Sequence, residues 1–181
     1  MSWYRRRLVP GGTFFFTVRL QLGTGVDLRD HVEVLRDCYG RCARERPFRT
    51  EAIVMLPDHL HAVWTLPEGD ADFSGRWRRI KAGVSRRVGE GPRVPPVADG
   101  ATRGLPPTLR PSASKRRKGE AGVWQRRFWE RQVRDEAELA ACLRYVWCNP
   151  VKHGLVEWAV EWPWSSVHRE IAAGRLPVEG P

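Results

Sequence analysis

Two histidines separated by one residue, His59 and His61, have the spacing of a metal-binding pair. The apolar residues around them predict a β-strand, in which side chains two positions apart point to the same face. Both imidazoles would then project together and could bind one divalent metal ion, with Leu60 packed on the other face. Further ligands must come from elsewhere in the chain. The alternative interpretation is a half-buried pair of surface histidines without a metal.

A second candidate group, Tyr145 and Asn149, lies in a segment with a helical pattern. The spacing of four residues puts both side chains on one helix face. A tyrosine near a bound metal can act as a nucleophile, and an asparagine amide oxygen can bind a hard cation. The alternative is structural, because tyrosines on helices usually pack and an Asn before Pro usually caps or turns the chain. The other tyrosines are Tyr39, in an apolar helix stripe, and Tyr4, near the start.

Signatures of several other enzyme classes are missing from the sequence. The two histidines could also serve a zinc hydrolase, but such an enzyme normally needs a third ligand at a defined spacing, and no His-Glu-x-x-His motif occurs. Neither a Walker phosphate-binding loop nor a Gly-x-Ser-x-Gly nucleophile elbow is found. The four cysteines are too few for a disulfide framework, and we interpret them as reduced packing residues.

The composition is that of a basic protein with a hydrophobic core. The chain has 181 residues, of which 41% are hydrophobic, and this length suits one ordinary domain. No apolar run approaches the roughly 18 residues of a membrane span, and no secretory signal is visible, so we expect a cytoplasmic protein without a membrane partner. A net charge of +10, carried mostly by arginine, favours a polyanionic partner such as nucleic acid.

Hydrophobic periodicity predicts a single α+β domain over residues 1–181. Strands are predicted at 14–20, 48–56, 59–66 and 123–133, and helices at 28–46, 73–88 and 136–146. This order, with one antiparallel sheet and helices packed on one of its faces, corresponds to a ferredoxin-like sandwich. The segment 89–122 is rich in Pro, Gly, Ser and Arg, and we expect a disordered insertion there. Residues 158–181 are expected to form a short tail.

Several blocks of the sequence resemble REP-associated tyrosine transposases, relatives of the small single-tyrosine transposases of the HUH nuclease class. The segment 56–67, Leu-Pro-Asp-His-Leu-His-Ala-Val-Trp-Thr-Leu-Pro, resembles the family's His-hydrophobic-His block. The segment 145–154 is similar to the family's Tyr-x-x-x-Asn-Pro-Val-Lys-His-Gly block. Shorter matches lie at residues 5–6, 11–14, 124–130, 162–166 and 168–169. These blocks follow one another in order over nearly the whole chain outside 89–122, which makes the resemblance specific.

The resemblance implies a ferredoxin-like HUH nuclease domain that acts on single-stranded DNA. In such a protein, His59 and His61 ligate Mg²⁺ or Mn²⁺, Asn149 is the third protein ligand, and Tyr145 is the nucleophile. The substrate is a short hairpin from a repetitive extragenic palindrome, with a conserved foot sequence beside it. Attack by the tyrosine would release a 3′-hydroxyl and form a 5′-phosphotyrosine, so that strand transfer or religation needs no ATP.

Basic side chains are expected to bind the backbone phosphates of this DNA, and aromatic side chains could stack on its unpaired bases. The predicted DNA-contacting residues are Arg5, Arg6, Arg7, Arg78, Arg79, Lys81, Arg126, Arg127, Arg131, Lys152 and His153.

Two alternative functions remain open at this point. One is a non-catalytic, domesticated protein that binds the palindrome without cutting it, although the complete set of two histidines, tyrosine and asparagine favours an enzyme. The other is a basic RNA-binding protein on a ferredoxin-like sheet. That protein would need exposed aromatic side chains on its strands, for which Phe14 and Phe16 are the candidates. The oligomeric state, monomer or dimer, is also left open.

Overall fold

The computed structural model describes residues 8–89 and 123–181 of the chain. Outside the described residues lie Tyr4, the predicted contacts Arg5, Arg6 and Arg7, and residues 90–122 of the predicted insertion. Within the described ranges, no helix is both long enough and apolar enough to cross a membrane. The four cysteines are free, as predicted.

Four antiparallel strands form one sheet with the order β2-β3-β1-β4. The strands are β1 (Thr13–Arg19), β2 (Arg49–Met55), β3 (His59–Thr65) and β4 (Trp129–Val133). The helices are α1 (Val32–Glu45), α2 (Phe73–Gly89), α3 (Glu136–Trp147), α4 (Asn149–Lys152) and α5 (Val167–Ala172), with 3-10 turns at Leu28–His31 and Ala159–Glu161. Because α1 joins β1 to β2 and α2 joins β3 to β4, the chain has the βαββαβ order of the predicted ferredoxin-like fold.

Helices cover both faces of the sheet, and the prediction of helices on one face was wrong. Phe14 and Phe16 lie in the core formed with α1 and α2. Phe15 and Val63 lie in a second core on the other face, with Val146 of α3. The three consecutive phenylalanines are all buried. A strand that is apolar on both sides needs a cover on both, so this aromatic run is the signal for a two-sided sheet.

The fourth strand begins later than predicted. It starts at Trp129, whereas the sequence analysis placed a strand over 123–133. In the segment before it, the ammonium group of Lys81 donates to the carbonyl oxygens of Gln125 and Arg126 at 2.6 and 3.2 Å. A side chain from α2 therefore satisfies these two carbonyl groups, while the N–H of Gln125 donates to the carbonyl oxygen of Arg19 at the end of β1.

The C-terminal segment packs against the sheet and is not the simple tail that the sequence predicted. Its residues 164–166 run along the edge strand β2, where Met55 donates its N–H to the carbonyl oxygen of Trp164 at 2.9 Å. The indole N–H of Trp162 donates to the carbonyl oxygen of Met55 at 2.7 Å. The segment thereby satisfies backbone groups of an edge strand, which would otherwise be open to water or to another chain.

One buried arginine, Arg76, anchors the start of α2. Its side chain is 2% exposed, and its Nη2 lies 2.7 Å from Oδ2 of Asp70. The same guanidinium donates to the backbone carbonyls of Arg46 and Pro47. Asp70→Asn should lower the free energy of unfolding by about 2 kcal/mol, because it leaves a buried charge without its counter-ion. Urea denaturation at pH 7 measures this loss.

The loss of stability in Asp70→Asn should depend on pH, which provides a check on the ion pair between Asp70 and Arg76. The hydrogen bond from Arg76 lowers the pKa of Asp70 below the ordinary value of 3.8. Its stabilisation is therefore present above this value and disappears as the pH falls through the folded-state pKa, so the two proteins should converge in acid. Asp37→Asn is the matched control, because its arginine partners are exposed and its loss should barely change stability. Equal stability of wild type and Asp70→Asn at pH 7 would contradict the anchoring role.

Candidate active site

The two histidines of the predicted metal pair lie side by side on one face of β3. His59 and His61 are 2% and 4% exposed, and their ring centroids are 4.9 Å apart. Leu60, between them, is fully buried in the core on the opposite face. The alternation of the strand thus produces the pair that was predicted from the spacing. We call the face that carries both imidazoles the catalytic face.

A hydrogen bond fixes the orientation of each imidazole. Nδ1 of His59 lies 2.6 Å from Oδ1 of Asp58, and Nδ1 of His61 lies 2.9 Å from Oγ1 of Thr17. With Nδ1 engaged in both rings, Nε2 is the atom left for a ligand, as is usual for metal-bound histidines. Nε2 of His59 is buried and has no hydrogen-bond partner among the described residues.

Burial keeps both imidazoles neutral. It lowers the pKa of His61 to about 3, and the neighbouring His59 acts in the same direction. Burial also lowers the pKa of His59, although the carboxylate of Asp58 opposes this shift. A metal ion binds the lone pair of a neutral imidazole, so both rings are ready to act as ligands at neutral pH.

Tyr145 stands directly beside the histidine pair. Helix α3 packs on the catalytic face and places the ring centroid of Tyr145 5.3 Å from that of His61. Phe15 of β1 contacts both rings, with centroid distances of 5.6 Å to Tyr145 and 5.3 Å to His61. Tyr145 is 41% exposed, so a substrate can reach a ring that its neighbours hold in place.

The other tyrosine in the described part of the chain, Tyr39, is poorly placed for chemistry. Its hydroxyl lies 2.7 Å from Oγ1 of Thr50 and accepts a hydrogen bond of 2.6 Å from the indole of Trp64. Burial raises the pKa of this hydroxyl. Tyr39 also packs in the core with α1 and α2, on the face of the sheet away from the histidine pair. Of the two described tyrosines, Tyr145 is therefore the candidate nucleophile.

Asn149 belongs to the helical segment that follows the candidate nucleophile. It lies one turn after Tyr145 and one turn before His153. The rings of those two residues contact the histidine pair, each at a centroid distance of 5.3 Å. The Asn149 side chain is fully buried, and neither Oδ1 nor Nδ2 has a hydrogen-bond partner among the described residues. A buried amide without partners costs about 1–3 kcal/mol, and a bound ion would remove this cost at Oδ1.

The donor atoms at this site fit a cation that accepts both nitrogen and oxygen ligands. In residues 8–89 and 123–181, no three His, Cys, Asp or Glu side chains form a cluster that could hold a metal ion. The candidate set is different, with two imidazoles and the amide oxygen of Asn149. Nε2 of His59 and Oδ1 of Asn149 are buried and have no hydrogen-bond partner within the described ranges, which is consistent with ligands for Mg²⁺ or Mn²⁺.

Some of the predicted DNA-contacting residues lie at the site. The ammonium group of Lys152 is 4.9 Å from the ring centroid of the candidate nucleophile. His153 packs against His59, with ring centroids 5.3 Å apart. Arg131 of β4 projects on the catalytic face and lies 3.6 Å from a carboxylate oxygen of Glu138 in α3. The cations Lys152 and Arg131 could balance the charge of a phosphate bound at the site.

The remaining described contacts that were predicted lie on α2 or in the segment before β4. Arg78 and Arg79 are exposed on α2, which covers the opposite face of the sheet, and Arg79 is paired with a glutamate of α1. Arg126 and Arg127 are exposed in the segment before β4. Lys81 is engaged in holding that segment to α2. Charge alone therefore does not distinguish the two faces of the sheet.

Arg19 is a cation at the site that the sequence analysis did not select. It ends β1, lies opposite His59 in the strand register, and is exposed. Strand alternation puts its side chain on the same face as Thr17, which binds His61. The sequence could have predicted this position, because Thr17 and Arg19 are two residues apart in the predicted strand and therefore lie on the same face.

The aromatic strand residues that an RNA-binding protein would expose are buried in this structure. Phe14 and Phe16 are 1% and 0% exposed, and both lie in the core with α1 and α2. A base cannot stack on a ring that is already covered by helices. These two strand residues are therefore core residues, and the expectation that they could serve as platforms was wrong.

The chain is similar over nearly its whole length to proteins of one named family. No protein-family model matches it. A REP-associated tyrosine transposase of Escherichia coli strain K12 is 36% identical over 179 residues, which cover 99% of this chain and 90% of the relative. A relative from Haemophilus influenzae with the same family name is 40% identical over 178 residues, which cover 98% and 92%. A solved structure of a REP-associated tyrosine transposase bound to a REP hairpin is 37% identical, covers 99% of this chain and 90% of that one, and has a TM-score of 0.78.

Proposed function

The chain belongs to the family of REP-associated tyrosine transposases, and from this premise we propose that it cuts and rejoins single-stranded DNA at hairpins of repetitive extragenic palindromes. The observation that carries the proposal is the exposed ring of Tyr145 beside the neutral pair of His59 and His61. The REP hairpin in the structure of the relative supports a substrate of this kind. A non-catalytic palindrome binder would not need this arrangement. We place the reaction in the cytoplasm.

Tyr145 supplies the nucleophile of the proposed reaction. Its hydroxyl oxygen attacks the scissile phosphorus in line with the departing 3′-oxygen. The P–O3′ bond breaks while a P–O bond to Tyr145 forms, which leaves a 5′-phosphotyrosine and a free 3′-hydroxyl. The phenol proton passes to solvent, and the departing oxygen takes up a proton. A 3′-hydroxyl can then attack the phosphotyrosine and restore a phosphodiester without ATP, because the bond energy is retained in the covalent link.

His59, His61 and Asn149 would hold Mg²⁺ or Mn²⁺ next to this tyrosine. The bound ion would draw negative charge from a non-bridging oxygen of the scissile phosphate. Asp58 and Thr17 keep the Nδ1 atoms engaged, so the two Nε2 atoms stay directed away from the strand backbone toward a ligand. Burial lowers the pKa of both histidines and so favours the neutral imidazoles that a metal ligand needs. A metal ion held by these buried side chains would position the phosphate before the chemical step.

Positive side chains around the site are proposed to bind the DNA backbone. Lys152 lies beside Tyr145, Arg19 lies opposite His59 in the strand register, and Arg131 lies on the same face of the sheet. The whole chain has a net charge of +10. If about five phosphates are neutralised, raising the salt from about 50 to about 200 mM should weaken hairpin binding on the order of 100-fold, because each contact releases counterions. Fluorescence anisotropy of a labelled hairpin measures this response.

A matched pair of variants locates the salt effect. Lys152→Ala should reduce the slope of log affinity against log salt by about 0.7 to 0.9, the value for one phosphate. Arg36→Ala should leave the slope unchanged, because Arg36 lies on α1, on the opposite face, and pairs with Glu33. A total response below about threefold in the wild type would contradict a phosphate-binding interface.

Incubation of the full chain with labelled hairpin DNA, with and without Mn²⁺, tests the proposed function. We expect metal-dependent shortening of the DNA and a protein–DNA band that survives denaturation. An oligonucleotide of the same composition without the palindrome is the control and should stay intact. Tight binding of several palindromes without any cleavage in Mg²⁺ or Mn²⁺ would instead support the non-catalytic binder.

A further inference from the structure

An exposed tryptophan lies beside the candidate active site. Trp129, the first residue of β4, is 53% exposed, and its ring packs against Phe15 at a centroid distance of 5.8 Å. Phe15 also contacts the rings of Tyr145 and His61. Neither the attack of the tyrosine nor the binding of a metal ion uses Trp129. A large apolar side chain that stays open to solvent next to a reactive group suggests a ligand.

Exposure is unusual among the described tryptophans of this chain. The side chains of five of them are no more than 8% exposed, namely Trp64, Trp77, Trp124, Trp147 and Trp162. The fold therefore buries most of its indoles, and the two that are more than half exposed are Trp129 and Trp158. In the described part of the chain, no ring contact joins Trp158 to the site, so it serves as a matched control for Trp129.

Trp129 belongs to a row of side chains that crosses the catalytic face. In the strand register it lies opposite Thr17 of β1, and Thr17 lies opposite His61 of β3. The contacts of Trp129 with Phe15 and of Thr17 with His61 place all of these side chains on the same face. With about 4.8 Å between neighbouring strands, Trp129 is roughly 10 Å from His61. One nucleotide can bridge this distance from its phosphate to its base.

We propose that Trp129 is a stacking platform for an unpaired base adjacent to the phosphate that Tyr145 attacks. Every base has a π-face, so an indole can bind it without reading the sequence. Phe15 holds the ring from one side, while Arg131, two residues further along the same face, offers a cation to the adjoining backbone. The inference rests on the proposed function, because it assigns a base of the cleaved strand to a residue beside the nucleophile. Stacking there would hold the scissile phosphate in register with the tyrosine.

Hairpins with single abasic sites test this inference by affinity. Wild type should lose about 10-fold in affinity when the missing base is the one next to the scissile phosphate. Trp129→Ala should lose about 10-fold on intact DNA and little more when that base is absent, because the ring and the base act as a pair. Trp129→Phe keeps a ring and should recover most of the affinity, and Trp158→Ala should behave as wild type.

The outcomes separate this inference from the proposed function. An unchanged affinity of Trp129→Ala would overturn it, and so would equal losses on intact and abasic DNA at every position, which indicate a structural role. The variants are compared with wild type by thermal melting, so that a folding defect is recognised. If the wild type binds the hairpin without cutting it, the proposed function fails while the abasic series still decides the role of Trp129. If the wild type does not bind the hairpin, both fail.

Discussion

Replacing Tyr145 with phenylalanine is expected to lower the rate of hairpin cleavage by at least about 10⁴-fold and to abolish the covalent adduct. The substitution removes the oxygen that is proposed to attack but keeps the ring that contacts Phe15 and His61. Hairpin affinity should therefore stay within about threefold of the wild-type value, because ground-state binding does not depend on the nucleophile. A denaturing gel with end-labelled DNA measures the rate and the adduct, and anisotropy measures the affinity.

The control for this variant is Tyr39→Phe, which removes the hydroxyl of the other described tyrosine. Tyr39→Phe removes the hydrogen bonds of this hydroxyl with Thr50 and Trp64, which should lower the free energy of unfolding by about 1 kcal/mol. Cleavage should persist at the wild-type rate at temperatures where this variant is folded. Cleavage by Tyr145→Phe at an undiminished rate would show that another group attacks the phosphate.

Replacing His59 with alanine is expected to lower Mn²⁺-dependent cleavage by at least about 10³-fold, since the proposed metal ion would supply several kcal/mol of charge stabilisation. Hairpin affinity measured in EDTA should change little, because the buried imidazole has almost no surface to offer to DNA. Mn²⁺ should also raise the melting temperature of the wild type and leave that of the variant unchanged. His61→Ala should behave in the same way.

A third histidine provides the control for the two variants of the proposed metal ligands. His168→Ala replaces an exposed histidine whose Nε2 bonds to the carbonyl oxygen of Trp162, and among the described residues no ring contact joins it to the histidine pair. This variant should retain both the cleavage rate and the Mn²⁺-induced rise in melting temperature. Undiminished cleavage by folded His59→Ala, or equal stabilisation of wild type and His59→Ala by Mn²⁺, would mean that the histidine pair is structural.

Much of the fold could be predicted because local patterns agree with the tertiary structure. The apolar stripe of α2 predicted a helix over 73–88, and the helix ends at Gly89. The position of α3 was missed, because residues 14–20 were interpreted as an alternating strand with one buried face. Phe15, which is buried on the other face, was the unused signal for a second cover. The C-terminal segment was also missed, since residues 164–166 make their backbone bonds with β2, more than a hundred positions earlier in the chain.

The candidate residues could be selected from the sequence, but their arrangement needed the fold. His59 and Tyr145 lie far apart in sequence, and only the packing of α3 on the catalytic face brings their neighbourhoods together. The cations show the limit of reasoning from charge. Arg78 and Lys152 are equally basic in the sequence, yet α2 carries the first to the opposite face while α4 holds the second against Tyr145.

Peptide mapping of the covalent adduct by mass spectrometry tests the central claim most directly. The full chain is incubated with hairpin DNA and Mn²⁺, denatured, and digested with nuclease and protease. The account predicts a nucleotide linked through its 5′-phosphate to the peptide that contains Tyr145. A nucleotide found on another residue, such as Tyr4, or cleaved DNA without any covalent peptide, would contradict it.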